Sequence, residues 1–302
     1  MTLRRILAAT DLSAPARHAV VRAFRIAADC GAELELLHVV NQGGLDSLRN
    51  LLGMQAAAVE TRLLDQAREV LSGQAAELGR VHGVPAGAHL VTGRILDAIL
   101  DQADARDADL LVVGARGEDF LGRLLLGTTA ERLLRRTLRP LLVNKLAAHE
   151  SYRRVLLPLD FSAWSHTALK LARAVAPAAE LVLMHAFEAP FEAKLEFAGV
   201  EESTLILYRI AAQREALEQL QRYASAAGLA GANVSYRVRH GDAALGILTL
   251  EQELDCDLIL MGKHGQGALE EFLLGSVTKH ILAESSCDVL VASHAPTAMP
   301  AC

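Results

Sequence analysis

Apolar and polar positions follow two patterns along the chain, and these predict strands and helices in turn. Short apolar runs rich in Leu, Val and Ile, such as Asp109–Val113 and Asp257–Met261, are typical of strands buried on both faces. Other stretches have the apolar spacing of helices, the longest at Met54–Leu78 and Thr204–Ala227. The order reads strand, helix, strand, long helix, strand, helix, strand, helix, strand, and then repeats. Such alternation predicts a parallel sheet with right-handed crossovers.

The second half of the chain repeats the first at an offset of about 148 residues, so that Arg5–Ser13 recurs as Arg154–Ser162. A period of that length indicates two similar whole domains rather than a solenoid. We therefore predict two α/β domains, at residues 1–147 and 152–295, joined by a short polar stretch.

Helix starts are visible in both copies. Ser13 is a predicted N-cap with Pro15 in the first turn, and Ser162 takes the same place in the second copy. The copies differ most in the loops predicted before the long helices, residues 41–53 and 188–203. Because divergent loops often carry specificity, these two are candidate specificity elements or lids.

Composition narrows the class of protein. Of the 302 residues, 52% are hydrophobic and 22% charged, which is typical of a globular chain. The net charge of −6 disfavours non-specific binding to nucleic acid. No apolar run reaches the roughly 18 residues of a membrane span, and the run near the start is too short for a signal peptide. We expect a cytoplasmic protein with no membrane or nucleic-acid partner.

One glycine pattern occurs twice at the same spacing. Each copy has two glycines separated by two residues, then nine residues, then a glycine followed by a hydroxyl residue: Gly114, Gly117, Gly127 and Thr128; Gly262, Gly265, Gly275 and Ser276. Each copy follows a predicted buried strand and precedes an amphipathic helix. A strand, a glycine loop and a helix N-terminus together form a backbone anion site, which predicts two sites for phosphorylated ligands. The alternative is a set of tight turns with helix caps.

Polar residues at the other strand ends add to this picture. Asp11 and Asp160 end the first strand of each copy, where a carboxylate accepts hydrogen bonds either from a ribose or adenine or from a helix start. His38 and His185 end the second strands, and a structural role is favoured for them over ligand contact.

The glycine loops differ in charge. Arg116 and Arg123 of the first loop are candidate phosphate partners. The second loop offers Lys263 and His264, but it also carries two glutamates and is less suited to a triphosphate.

The repeated aspartate together with the glycine pattern resembles the universal stress protein family, and the resemblance covers essentially the entire chain as two fused domains. It implies two tandem Rossmann-like domains of the adenine nucleotide alpha hydrolase type, each a five-stranded parallel sheet flanked by helices. Family members form dimers, so we expect the two halves to pack as an intramolecular pseudo-dimer, and a homodimer of the whole chain stays open. The motif-bearing branch of the family binds ATP.

The resemblance also implies which residues hold the nucleotide, with the adenosine contacts given first and the phosphate contacts second in each half. In the first half they are Thr10, Asp11 and Val39, then Gly114, Arg116, Gly117, Gly127, Thr128 and Thr129. In the second half they are Asp160 and Ala186, then Gly262, His264, Gly265, Gly275, Ser276 and Val277. The chain departs from the family where Arg116 replaces a common His, Leu159 a small polar residue and Ala186 a larger aliphatic.

Three functions follow from these features. The first is a nucleotide-dependent stress-response regulator that binds ATP, with or without Mg²⁺. The second is a slow ATPase, which is less favoured because no water-activating group of carboxylates stands beside the loop cations. The third is a carrier or chaperone that uses the apolar long-helix regions as a groove. Apolar residues of the second insertion are candidates to line it, although core packing explains them more simply: Phe187, Phe191, Leu195 and Phe197.

Overall fold

The computed structural model describes residues 2–115, 127–229, 231, 233–263 and 274–293. The helices and strands of each half alternate in the predicted order, apart from an added short helix before each long one. The first half contains β1 (Arg5–Ala9), α1 (Ala14–Cys30), β2 (Glu33–Asn41), α2 (Gln42–Leu52), α3 (Ala56–His82), β3 (Ala86–Gly93), α4 (Ile95–Ala105), β4 (Leu110–Gly114), α5 (Thr128–Arg136) and β5 (Leu141–Asn144). The second half contains β6 (Arg154–Pro158), α6 (Ala163–Val175), β7 (Glu180–Phe187), α7 (Glu192–Phe197), α8 (Glu202–Ala226), β8 (Val234–His240), α9 (Ala243–Glu253), β9 (Leu258–Gly262), α10 (Ser276–Glu284) and β10 (Asp288–Ala292).

The strands of the described residues form one sheet in the order β3-β2-β1-β4-β5-β10-β9-β6-β7-β8. Within each half the five strands are parallel, which confirms the predicted Rossmann-like fold. The halves meet through an antiparallel pair, β5 with β10, in which Leu142 lies opposite Leu290. The two predicted sheets are therefore halves of one continuous sheet, and the two halves pack through their inner edges.

Two apolar cores lie on the two faces of this sheet, and successive strand residues alternate between them. In β1, Ile6 and Ala8 join the core beneath α1, α3, α6 and α8, whereas Leu7 joins the core beneath α4, α5, α9 and α10. Because both faces are covered, the strands read as continuous apolar runs. Each core contains residues of both halves, so the layers continue across the boundary.

The predicted helix starts are confirmed. The Ser13 hydroxyl accepts a hydrogen bond from the Ala16 N–H at 3.3 Å, and Pro15 lies in the first turn of α1. The hydroxyl of Ser162 accepts from the Ser165 N–H at 3.3 Å at the start of α6. These caps fix where the chain turns from the first strand into the first helix, directly beside the candidate ligand crevice.

The sequence predicted loops for the two divergent segments, but the structure has a helix in each. Residues 41–53 are mostly helix α2, because the Asn41 side chain caps its start by accepting from the Gly43 N–H at 3.1 Å and Leu45 is buried. The second segment, residues 188–203, contains α7. The glycines at the start of α2 are poor helix formers and hide this helix from periodicity alone.

Candidate functional site

The candidate site of each half lies where the chain changes direction across the sheet. From β1 the chain adds β2 and β3 on one side, then crosses to add β4 and β5 on the other. Neighbouring strand ends diverge at such a switch point, and open α/β sheets bind ligands there. Asp11 follows β1 and Gly114 ends β4, while Asp160 and Gly262 take the same positions beside β6 and β9. The structure thus brings the predicted carboxylate and glycine ends to one crevice in each half.

The helix starts at these crevices are held directly behind the strand ends. The N–H of Gly127 donates to the carbonyl of Ala115 at 2.8 Å, and the N–H of Gly275 donates to the carbonyl of Lys263 at 3.1 Å. Gly127 and Gly275 are the N-caps of α5 and α10. Among the described residues, neither cap position provides a side chain that accepts from the first-turn N–H groups. The first-turn N–H groups of both helices therefore lack the usual side-chain cap, as an anion site requires.

Backbone conformation does not explain the glycines at these caps. Gly127 has φ −60° and ψ 143°, and Gly275 has φ −56° and ψ 150°, which any residue adopts. Glycine is needed there only if something must approach the backbone closely. This is a reason to look for a ligand in front of both helices.

The first turns also present hydroxyl groups. Thr128 and Thr129 are exposed on α5, and Ser276 is exposed on α10, where a half-buried Val277 takes the place of the second threonine. Five of the predicted site residues lie outside the described residues: Arg116, Gly117, Arg123, His264 and Gly265.

Asp11 and Asp160 have a local structural role in the turn that follows the first strand. Oδ1 of Asp11 accepts from the Ser13 N–H at 3.0 Å, and Oδ1 of Asp160 accepts from the Ser162 N–H at 3.0 Å and from the Ser165 hydroxyl at 2.7 Å. The helix-start role named as the alternative is therefore present. Asp11 is exposed and Asp160 is half-buried at the crevice, so contact with a ligand stays a proposal.

The two histidines tie the second strand to the first. Nδ1 of His38 donates to the carbonyl of Thr10 at 2.8 Å, and Nδ1 of His185 donates to the carbonyl of Leu159 at 2.7 Å. Because a carbonyl oxygen can only accept, Nδ1 carries the proton in both rings. These bonds give both histidines the structural role that the sequence favoured.

The two halves differ in the residues next to Asp11 and Asp160. Thr10 is buried and its hydroxyl accepts from the Leu12 N–H at 3.0 Å, whereas buried Leu159 takes its place in the second half. There the Phe161 ring lies 4.4 Å from that of His185 and 5.3 Å from that of Tyr223, between ring centroids. The Phe161 and Tyr223 rings pack against the core beneath α6 and α8.

Two predicted adenosine contacts end the second strands, next to the histidines. Val39 is 9% exposed near the end of β2, and Ala186 is half-buried near the end of β7. Val39 and Ala186 both belong to the core beneath α4, α5, α9 and α10, on the opposite face of the sheet from Phe161. In the described part of the chain, no three His, Cys, Asp or Glu side chains are grouped to hold a metal ion, and no helix has the length and apolar character needed to cross a membrane.

Comparison with known proteins agrees with this geometry. The model of the universal stress protein family matches residues 2–145 and again residues 151–293. The chain belongs to the universal stress protein family. It is 28% identical to a universal stress protein of Mycolicibacterium smegmatis over 303 residues, covering 95% of this chain and 96% of that protein. Its identity to the universal stress protein Slr1230 of Synechocystis is 25%, covering 95% of this chain and 99% of that protein.

Solved structures show the same two-domain fold. A universal stress protein from Archaeoglobus fulgidus superposes on this chain with a TM-score of 0.68 at 22% identity. The match covers 96% of this chain and 98% of that one. Both halves of the present chain are therefore universal stress protein domains arranged as in a known tandem structure.

In this universal stress protein, the side chain of Lys263 does not lie where its glycine motif indicated. The sequence offered it as a loop cation beside the phosphates. Its side chain is instead 1% exposed, and its ammonium donates to the carbonyls of Arg135 at 3.1 Å and Thr137 at 3.3 Å in the first half. The direction of the side chain is set by the packing of the two halves, which the motif does not encode.

The carboxylate of Asp288 is a second cross-half feature that motif reasoning missed. It is fully buried at the start of β10 and accepts hydrogen bonds from the side chain of Asn144, the N–H of Lys145 and the hydroxyl of Tyr152. Nε of Arg22, on α1, lies 3.1 Å from Oδ2. Burial, and then this carboxylate, raise the pKa of Tyr152 well above its usual range, so its phenol stays protonated and donates. The sequence did contain a signal for this cluster, namely a charged residue, Asp288, at the start of an otherwise apolar strand.

The apolar residues proposed to line a carrier groove differ widely in exposure. Phe187 is 8% exposed within β7, whereas Phe191 is 69% and Phe197 97% exposed. Leu195 is half-buried on α7. Core packing explains Phe187 but not the two exposed phenylalanines, Phe191 and Phe197.

Proposed function

We propose that this universal stress protein binds ATP in each half and acts as a nucleotide-dependent regulator of the stress response. The observation that carries the proposal is the matched pair of crevices, each with a carboxylate after the first strand and a helix that starts at a glycine without a side-chain cap. The resemblance to the ATP-binding branch of the family supports adenine nucleotides as the ligand.

The residues present fit a nucleotide in the order that the resemblance implies. The first-turn N–H groups of α5 and α10, with the hydroxyls of Thr128, Thr129 and Ser276, would hold the phosphates at the positive ends of the two helices. Asp11 and Asp160 would accept hydrogen bonds from the ribose or the adenine amino group. Mg²⁺, where present, would accompany the triphosphate.

Binding is favoured over hydrolysis by the position of Lys263. Transfer of a phosphoryl group needs cations on that group and a positioned nucleophile or base. The ammonium of Lys263 donates to two carbonyls of the other half, so we do not expect it to serve as a phosphate cation in the second half. We therefore favour a regulator that binds ATP over an ATPase.

The first test is the nucleotide content of the freshly purified protein, released by heat and measured by mass spectrometry, followed by calorimetric titration with ATP. We expect about two adenine nucleotides per chain. Gly127→Val and Gly275→Val should each remove one, because the added side chain occupies the space in front of a helix start. Gly73→Val is the control, since a Cβ there would meet nothing within 4 Å.

The titration has two contrary outcomes. A wild-type protein that neither retains nor binds an adenine nucleotide would overturn the proposal. A double Gly127→Val, Gly275→Val variant that binds ATP as tightly as the wild type would remove the helix starts from the site. Titration with cAMP, which is present in one solved universal stress protein, ranks the two nucleotides.

Asp11 is tested by separating its turn role from a ligand role. In Gly275→Val protein, Asp11→Asn keeps an oxygen for the Ser13 N–H, whereas Asp11→Ala removes it. If Asp11 contacts the nucleoside, both variants weaken ATP more than inorganic triphosphate. If Asp11 only supports the turn, the asparagine variant binds like its parent, and the alanine variant loses both ligands equally.

A further inference from the structure

The ends of α5 and α10 that lie away from the crevices are each held by a lysine of the opposite half. The ammonium of Lys263 donates to the carbonyls of Arg135 and Thr137 at the end of α5. The ammonium of Lys145 donates at 2.8 Å to the carbonyls of Leu282 and Ser285 at the end of α10. Carbonyls at a helix C-terminus lack partners within the helix, and a cation there also complements the helix dipole.

The two lysines do not correspond to each other in the repeat. Thr137 and Ser285, whose carbonyls accept, are equivalent at the offset of 148 residues. At the same offset, however, Lys263 corresponds to Ala115, and Lys145 corresponds to a serine. Duplication would have placed a lysine at the same position in both halves. The same contact is instead made from two different positions, so it is not a simple remnant of the duplication.

Lys263 also belongs to the crevice of its own half. It directly follows Gly262, its N–H donates to the carbonyl of Ala292 at 3.0 Å, and its carbonyl accepts from the Gly275 N–H at 3.1 Å. The backbone of this residue therefore holds the start of α10, at the second site. Its side chain holds the end of α5, whose start forms the first site.

Lys145 connects the same two sites in the opposite direction. It follows Asn144, whose carbonyl accepts from the Ala115 N–H at 2.8 Å, and the carbonyl of Ala115 accepts from the Gly127 N–H at 2.8 Å. The backbone beside Lys145 therefore leads to the start of α5, at the first site. Its ammonium holds the end of α10, which serves the second site.

We propose that Lys145 and Lys263 are positioning residues that couple the two nucleotide sites, each holding the phosphate-binding helix of the opposite half. The proposal rests on the proposed function for the identity of the ligand. A phosphate at the start of a nine-residue helix and an ammonium at its end stabilise the same helix position. Binding at one site then favours binding at the other, and by linkage the effect is reciprocal.

The test measures ATP affinity by calorimetry in proteins that keep one site. Gly275→Val leaves the first site and Gly127→Val leaves the second. With only the first site, Lys263→Met should weaken binding at least about fivefold and Lys145→Met less than about twofold. With only the second site, Lys145→Met should weaken binding at least about fivefold and Lys263→Met less than about twofold. General destabilisation would not produce this crossed pattern.

Controls separate charge loss and misfolding from coupling. Lys170→Met removes an exposed lysine on α6 and should leave both sites unchanged. Thermal unfolding reports whether each variant is folded. Because Lys263 is the more buried lysine, Lys145→Met in the protein with only the second site decides the question if Lys263→Met does not fold.

The outcomes distinguish this proposal from the proposed function. Absence of ATP binding in the wild type overturns both. ATP binding with equal losses at the two sites, or with losses confined to the half that carries the substituted lysine, overturns the coupling alone. The crossed pattern supports it, as does tighter binding at the first site when the second is filled than when it is removed by Gly275→Val.

Discussion

Replacing Asp288 by asparagine tests how strongly the polar cluster between the halves contributes to stability. The two oxygens of this buried carboxylate face donors only. Oδ1 accepts from the backbone N–H groups of Lys145 at 2.7 Å and Leu146 at 2.9 Å. Oδ2 accepts from the Tyr152 hydroxyl at 2.7 Å and lies 3.1 Å from Nε of Arg22. With its NH₂ group in place of Oδ1, the new amide faces two backbone donors. With the NH₂ group in place of Oδ2, it faces the Arg22 guanidinium, and only the Tyr152 hydroxyl can turn to accept.

The size of the effect follows from the charge that is left behind. Arg22 is 4% exposed, so in Asp288→Asn its guanidinium stays buried and loses the carboxylate that lies against Nε. Removing one partner of a buried pair costs about 3–5 kcal/mol. An exposed pair contributes only about 0–1 kcal/mol. Asp65 with Arg68, joined at 2.7 Å on the surface of α3, provides the matched comparison.

The assay is urea unfolding of the wild type, Asp288→Asn and Asp65→Asn, followed by circular dichroism. We expect Asp288→Asn to lower the free energy of unfolding by about 3–5 kcal/mol and Asp65→Asn by less than about 1 kcal/mol. Because Asp288 contacts residues of both halves, the loss should affect the transition of the whole chain. A loss below about 1 kcal/mol for Asp288→Asn, or one no larger than that for Asp65→Asn, would refute the reasoning.

Two further predictions concern buried titrating groups. Burial, and then Asp160, raise the pKa of Tyr223 from its ordinary 10.0 to about 12, so its contribution to stability is complete below pH 10.0 and is lost as the pH rises through about 12. Alkaline titration of phenolate absorbance should show a step near pH 12 that Tyr223→Phe removes, and a step that survives in this variant would contradict the assignment. Burial raises the pKa of Cys256 to about 12 and that of Cys287 well above its usual range, so neither thiol should be alkylated at neutral pH until the protein unfolds. Peptide mapping after brief alkylation measures this, and labelling of either thiol in the folded protein at the rate of a free cysteine would show the burial to be wrong.

The fold could be predicted from the sequence because its signals are local. Apolar runs, helical periodicity and caps such as Ser13 depend on a few neighbouring residues. Because the chain is duplicated, each of these signals occurs in both halves. The helix α2 was missed because its start depends on a single cap at Asn41 and its first turn contains glycines. Local signals for and against a helix conflict there, and the packing of Leu45 decides between them.

The family resemblance implied that the halves pack together, but the strand pairing that joins them could not be predicted from local signals. The edge strand Leu141–Asn144 has the same apolar sequence whether its free edge is covered by a helix or paired with another strand. Similarly, a lysine inside a glycine motif indicates a phosphate contact, whereas the side chain of Lys263 follows a direction that exists only once the halves have packed. The candidate crevices were predictable from strand order, but their connection was not.

Fusion of the two halves explains how these connections could arise. In a symmetric dimer every interface substitution appears twice, so one change must suit both copies of a contact. In a fused chain the copies diverge: Asp288 stands where the first half has Pro140, and Arg22 where the second has buried Leu171. One buried carboxylate can then serve a single arginine without a second pair to satisfy. The same reasoning applies to Lys145 and Lys263. Each makes its contact with the opposite half once, from a position that carries no lysine in the other copy, whereas a homodimer of identical domains would repeat each contact.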